Sequence, residues 1–278
     1  IPEDVTIIDG YAFYGQQTLR YIEMNEKVKI IKEYAFHGMT QLRTITLPST
    51  IQQVEGNAFS ECTSMKMIII QANSNDITKC ESTTFSHGQI YVKEGNENSG
   101  ICGKQTLYGY KTKGKAGTNI YWMTIESGNK MMIYGINEMD NYTKTTQVWK
   151  EIKGDVQSIE IDEYVTSIGD NAFNSFESLT RIQISSTIER IGTTIMRNCI
   201  SLTSISVEEN NKKYSNDNYG VLYDKQKTTL IQYPIGKIDS VSYEIPQNVI
   251  TIKQYTFEKS KKLTTLTISS TVNSIEQY

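Results

Sequence analysis

"YAFHGMTQLRTITL", residues 34–47, obeys two periodicities at once. Ala35-Phe36 opens it, a polar stretch follows, and Leu42, Ile45 and Leu47 close it at steps of three and two. A step of two belongs to a strand, whose side chains alternate between faces. The Ala-Phe pair, followed six residues later by Leu42, suits a turn or short helix instead. A segment that changes period so quickly is one side of a small coil, and a coil this small is stable only if it recurs.

It does recur. Ala-Phe returns at Ala12-Phe13, Ala58-Phe59 and Ala172-Phe173, and the first three phenylalanines stand 23 residues apart. Aliphatic residues precede Phe by eight and by five: Val5 and Ile8, Val28 and Ile31, Ile51 and Val54, Val165 and Ile168. Leu or Met follows by six (Leu19, Leu42, Met65, Leu179), then two more apolar residues, as in Ile182 and Ile184. Met196 and Phe257 head degenerate copies in the same phase, giving six complete units, and Val272 with Ile275 opens another. A shortened copy lies at Ile77, Cys80 and Phe85 and ends in Ile90-Tyr91-Val92. Burying the anchors of one unit cannot offset the entropy of ordering its backbone, so units must stack and share faces. The expected fold is a repeat solenoid. Each coil adds a strand to a parallel β-sheet on the concave face, and short helices or turns form the convex face.

The wording of the repeat carries a resemblance. Leu42-Arg43-Thr44-Ile45-Thr46-Leu47-Pro48, continuing through Ile51, Val54, Ala58-Phe59 and Cys62, resembles the BspA-like (Treponema pallidum-type) leucine-rich repeat. "VTSIGDNAF" at 165–173 is similar to the family's usual wording. "YWMTIESGNKMMIYGINEMDNYTKTTQVW" (121–149) is similar to the Trp-led hairpin that often precedes a block of these repeats. "YGVLYDKQKTTLIQYP" (219–234) is similar to a hairpin that members insert between units. The resemblance spans nearly the whole chain except 94–118. It implies a cell-surface or secreted protein that mediates binding or adhesion to other proteins, host or matrix proteins among them. It does not imply a catalytic site, and no cofactor is expected.

Three regions follow from the phase. Residues 1–93 read as a first array, 94–150 as an insert with a β-hairpin that caps the second array, and 151–278 as that second array. Within the insert, Glu94–Gly100 is Gly/Asn/Glu-rich and Lys111–Thr118 is Lys/Gly-rich, so both read as loops. Alternating apolar residues around Ser127-Gly128-Asn129 suggest the hairpin. Met196 to Phe257 is 61 residues rather than 23, which places another inserted hairpin near 208–245.

Composition narrows the partners. A formal net charge of -3 gives no reason to expect nucleic acid or an anionic membrane. The longest strongly apolar run, Met65–Ile70, is far short of the roughly 20 residues a membrane helix needs. Ile1-Pro2-Glu3 begins no basic n-region with an apolar h-region, so the chain reads as a mature form or a fragment. Eighteen tyrosines hint at aromatic surface beyond what a core requires.

Candidate chemistry is sparse. Cys62 and Cys199 stand three residues after Phe59 and Met196, and Cys80 falls where Ile31 and Ile168 stand in their units. Such positions suit buried thiols. Cys102 is off the grid; a Cys80–Cys102 disulfide would suit an extracellular protein, whereas the core phase of Cys80 favours a packed thiol. Cys80, His87 and Cys102 lack the paired spacings of a zinc site and the orienting group of a cysteine nucleophile, so no metal is expected. His37 reads as a surface turn residue, and Glu208, Glu209 and Asp217 as solvated carboxylates. Asn141-Tyr142-Thr143 is the only glycosylation sequon and bears on function only in a eukaryotic source.

Residues alternating with the strand anchors point away from the core. These are Tyr21 and Glu23, Thr44 and Thr46, Met67 and Ile69 in the first array, and Arg181 and Gln183, Ser204 and Ser206, Thr265 and Thr267 in the second. They are the expected contacts for a protein partner. Met67 and Ile69 are the apolar exceptions: the following insert packs over them, or they form a sticky patch, and the first is the expectation. The competing reading is a non-catalytic structural spacer within a larger surface protein. A hydrolase built on the inserts has no support in the spacing.

Overall fold

In every complete unit the residue two before the Phe anchor has a left-handed backbone: Tyr11, Tyr34, Asn57, Asn171, Thr194 and Tyr255. So does the residue two after it: Gly15, Gly38, Glu61, Ser175, Asn198 and Lys259. A left-handed residue cannot continue a right-handed helix, so the Ala-Phe segment closes as tight turns. The computed structural model describes residues 1–96, 100–103, 107–238 and 241–277. Among them, helix is limited to 3-10 pieces at Ser74–Asp76, Ile101–Gly103 and Glu126–Gly128. The side opposite the strands is therefore built of turns.

Those turns form a ladder of their own. The N–H of Phe13 donates to Ala35 O at 2.7 Å, that of Phe36 to Ala58 O at 2.8 Å, and that of Phe173 to Ile195 O at 2.8 Å. Each coil thus satisfies backbone groups that a helix would pair internally. Phe13, Phe36, Phe59 and Phe85 stack with successive centroids 5.1, 4.9 and 5.0 Å apart, close to the spacing of paired strands. Cys62 and Cys199 donate their thiol protons to Phe36 O and Phe173 O at 3.2 and 3.1 Å. At Gly169 a Cβ would lie 1.7 Å from Asp140 O, so only glycine admits the neighbouring backbone there.

The chain forms two compact units: Ile1–Thr112 with Ile125–Ser127, and Lys113–Thr124 with Gly128–Tyr278. In the first, Thr44–Leu47, Met67–Ile70 and Gln89–Lys93 pair in parallel, with Ile45, Ile68 and Ile90 in register, and Leu47, Ile70 and Val92 likewise. A second ladder of two-residue strands runs through Ile7–Ile8, Ile30–Ile31, Gln53–Val54 and Lys79–Cys80. The Phe stack and the aliphatic anchors fill the space between. Tyr21 and Glu23 lie on chain that forms no strand.

Two expectations fail. Cys80 is joined to Cys102 by a disulfide. It sits on the edge strand of its ladder, half-buried, where no following strand completes a packed environment for a thiol. The Lys/Gly-rich 111–118 is not a loop: Tyr108–Gly117 is a ten-residue strand. Its lysines stay toward the surface while Tyr110 and Ala116 are buried, so a strand with a polar edge mimics loop composition. Of 94–100, Glu94 and Gly95 form a turn, and residues 97–99 lie outside the described residues.

In the second unit Lys130–Gly135, Ser158–Ile161, Arg181–Ile184 and Ser204–Val207 run parallel. Met131, Ile159, Ile182 and Ile205 share one register and enter the core. Ile120–Ile125 lies beside Lys130–Gly135 across the turn at Glu126–Gly128, as the alternation around Ser127 suggests. Trp149 occupies a Phe position that the repeat pattern does not reveal. It stacks on Phe173 at 5.7 Å, and its Nε1 donates to Ala172 O at 2.8 Å. Beside it, Gln147 Nε2 donates to the carbonyls of Asn171, Ala172 and Asn174 at 2.8, 3.2 and 3.0 Å.

The later insertion forms Tyr214–Asn216, Leu222–Asp224 and Thr229–Gln232 in antiparallel succession, the last paired in parallel with Thr251–Ile252. Three of its tyrosines supply a core: Tyr223, Tyr233 and Tyr243 are buried with Leu230 and Ile252, while Tyr219 is exposed. Tyr243 OH donates to Asp217 Oδ2 at 2.8 Å and also bonds Tyr223 OH. Asp217 Oδ1 accepts the N–H groups of Tyr219 and Val221, so this carboxylate organises the turn instead of standing solvated. Arg197 spans the insertion, pairing with Glu258 at 2.6 and 3.1 Å with its guanidinium 3.9 Å from the Tyr255 ring centroid.

Candidate functional site

The parallel register of the second unit sorts its side chains into rows. Lys130, Ser158, Arg181 and Ser204 form one outward row, and Met132, Glu160, Gln183 and Ser206 the next. Arg181, Gln183, Ser204 and Ser206 are exposed, while the intervening Ile182 and Ile205 are buried. The alternation is what a strand with one buried face must show. Lys130, Ser158, Glu160, Arg181, Gln183 and Ser206 line a shallow hollow of about 220 Å³.

Most charges in this hollow are already answered. Lys130 Nζ lies 2.9 Å from Glu160 Oε2. Glu208, close by, accepts the Ser186 N–H at 2.8 Å and Gln183 Nε2 at 3.4 Å. Ser206 Oγ donates to Ile182 O at 3.2 Å. Arg181 has no ion-pair partner among the described residues. The surface can offer hydrogen bonds and one uncompensated cation to a ligand.

The other expected contacts are distributed differently. Thr265 and Thr267 are exposed, but they lie in a two-stranded sheet with Ser242–Glu244 and do not extend the rows. In the first unit Glu23 is exposed and Tyr21 and Thr46 are half-buried. Thr44 is buried, and Met67 and Ile69 are 2% and 0% exposed, so they form no sticky patch. Their rows continue into Gln89, Tyr91 and Tyr108: Tyr91 OH donates to Gln89 Oε1 at 2.8 Å, and Gln89 Nε2 to Tyr108 OH at 3.3 Å. Asn141 is exposed, and its Oδ1 accepts the Asp170 N–H at 2.9 Å.

Two free thiols lie among the described residues, Cys62 and Cys199. Burial pushes the Cys62 thiol up to about 11 and the Cys199 thiol to about 12, so both stay protonated at neutral pH. His37 is half-buried rather than a surface turn residue: it stacks on Tyr14 at 4.8 Å and lies edge-on to Tyr34. Its Nδ1 is 2.6 Å from Ser60 Oγ. That hydroxyl also lies 2.9 Å from Asn57 O, a carbonyl that can accept its proton. Among the described residues no group of three or more His, Cys, Asp or Glu could hold a metal ion. No helix there is long and apolar enough to cross a membrane.

Stacked coils, a parallel sheet on one side and Phe-anchored turns on the other define a leucine-rich repeat solenoid. This chain belongs to the BspA type leucine rich repeat family, whose pattern matches in six copies over residues 1–99, 148–229 and 236–278. No curated protein matches the sequence. Among solved structures it is similar to a leucine-rich repeat protein from Eubacterium ventriosum, with 22% identity over 60% of this chain and 62% of that one and a TM-score of 0.29. It is similar to the pneumococcal vaccine antigen PcpA, with 17% identity over 98% of this chain and 53% of that one and a TM-score of 0.44. It is also similar to a leucine-rich cell surface protein from Faecalibacterium prausnitzii, with 18% identity over 90% of this chain and 64% of that one and a TM-score of 0.34. The chain spans less than two thirds of the length of each of these proteins.

Proposed function

We propose that this chain is a cell-surface or secreted protein that binds a protein partner through the outward sheet face of its second unit. The expected class of partner is an extracellular host or matrix protein. One observation carries the reading: Arg181, Gln183, Ser204 and Ser206 stand exposed and in register on strands whose other face packs into the core through Ile182, Ile184 and Ile205. A rigid sheet that presents an ordered polar set to solvent can bind without first paying to order it. The Cys80–Cys102 disulfide supports an extracellular location, because such bonds persist in oxidising compartments.

The test is surface plasmon resonance of the chain against a panel of purified matrix proteins, including fibronectin, laminin and collagen. Gln183→Glu alters the sheet face, and Glu177→Arg alters an exposed position on the turn side. Saturable binding that weakens by about tenfold in the first variant and is unchanged in the second supports the reading. Absence of binding to every panel member and to intact cell surfaces would favour the spacer.

A further inference from the structure

We infer that the row Lys130–Ser158–Arg181–Ser204 receives an acidic side chain from an extended segment of the partner, with Arg181 as the carboxylate-gripping residue. This rests on the reading that the sheet face is the binding face. The chain as a whole carries a net charge of -3, yet this row contains two cations and no anion. Glu160 answers Lys130 at 2.9 Å, which leaves the Arg181 guanidinium as the uncompensated charge of the hollow. A guanidinium offers its donors in a planar fork that matches a carboxylate in two parallel hydrogen bonds. Ser158 and Ser204 flank Arg181 in register, each about 4.8 Å away by strand spacing. Their short side chains leave room on both sides of the fork, and the exposed Ser204 adds a hydroxyl within reach of an entering oxygen.

The neighbouring row sets the character of the segment. Glu160 lies there, and Glu208 fixes the amide of Gln183 at its edge. A chain that is anionic at every position, such as a sulfated glycan, would meet these carboxylates as it met Arg181. A peptide that alternates acidic with neutral side chains meets the cation with its acid and the second row with its neutral groups. The complementarity therefore favours an acidic peptide segment over a polyanionic glycan.

The experiment is fluorescence anisotropy of the full chain with three labelled probes: an alternating Glu-Thr octapeptide, the matching Lys-Thr octapeptide and a heparin oligosaccharide. Arg181→Gln removes the charge, and Arg181→Lys keeps the charge but loses the fork; both sit at an exposed position, and thermal melts confirm that they fold. The expected result is saturable, salt-sensitive binding of the Glu-Thr peptide alone, about tenfold weaker in Arg181→Gln and intermediate in Arg181→Lys. Equal affinity of the wild type and Arg181→Gln would overturn the inference, as would no Glu-Thr binding or heparin binding without it. Arg181-dependent peptide binding with no matrix protein bound would retain this inference and remove the proposed partner class. Matrix binding lost in Gln183→Glu but untouched by Arg181→Gln would do the reverse.

Discussion

Gly38 and Lys259 occupy the same place in two coils, with φ of 72° and 65°, and only one of them is glycine. A side chain in this region costs about 1 kcal/mol relative to glycine. Lys259→Gly should therefore raise stability by about 1 kcal/mol and Gly38→Ala lower it by a similar amount, read as shifts in the urea midpoint. The exposed contact of Lys259 Nζ with Asn198 Oδ1 offsets little of that gain. The Phe anchors were legible in the sequence, but this backbone requirement was not. Gly, Glu, Ser, Asn and Lys all occupy the position, so no residue type marks it. The thiols give a second residue-level prediction. With Cys62 held near 11 and Cys199 near 12, native protein at pH 8 should react with neither under a thiol reagent. Unfolding without reductant should release two reactive thiols, and unfolding with reductant four. Four without reductant would contradict the disulfide.

One coil of the second unit was hidden from the repeat pattern, and the chemistry at that coil explains why. Trp149 replaces Phe, and Val148 replaces the usual Ala, so the motif disappears while the stacking on Phe173 persists. Gln147 holds three carbonyls of the adjacent turn with one amide; Gln147→Ala leaves Asn174 O without its donor, whereas Ala172 O keeps Trp149 Nε1 and Asn171 O keeps the Asn174 N–H. Calorimetry should show a loss of about 2 kcal/mol, and a change below about 0.5 kcal/mol would contradict that role. The strand Tyr108–Gly117 was obscured for another reason, because alternating lysines and glycines carry the composition of a loop. What composition lacks, the register supplies: paired strands on one side of the segment dictate its extension.

For the molecule as a whole, the sequence exposed the repeat and its two faces, because packing fixes both period and direction. It could not tell which outward residues stay accessible. Met67 and Ile69 are closed off and Thr265 and Thr267 lie in a separate sheet, while Arg181, Gln183, Ser204 and Ser206 share an open one. The Cys80–Cys102 bond, closing a loop of 22-residue separation, should add about 3 kcal/mol to the stability of the first unit. Denaturation with and without reductant, and of Cys102→Ser, checks that figure. The inertness of Cys62 and Cys199 also permits the sharpest probe of function, since an added surface cysteine can be labelled alone. Ser204→Cys and Glu177→Cys place a bulky maleimide on the sheet face and on the turn side respectively, and binding to a responsive matrix protein is then measured. The account predicts that the Ser204 label abolishes binding and the Glu177 label leaves it intact; equal binding by both, or loss only with the Glu177 label, would contradict it.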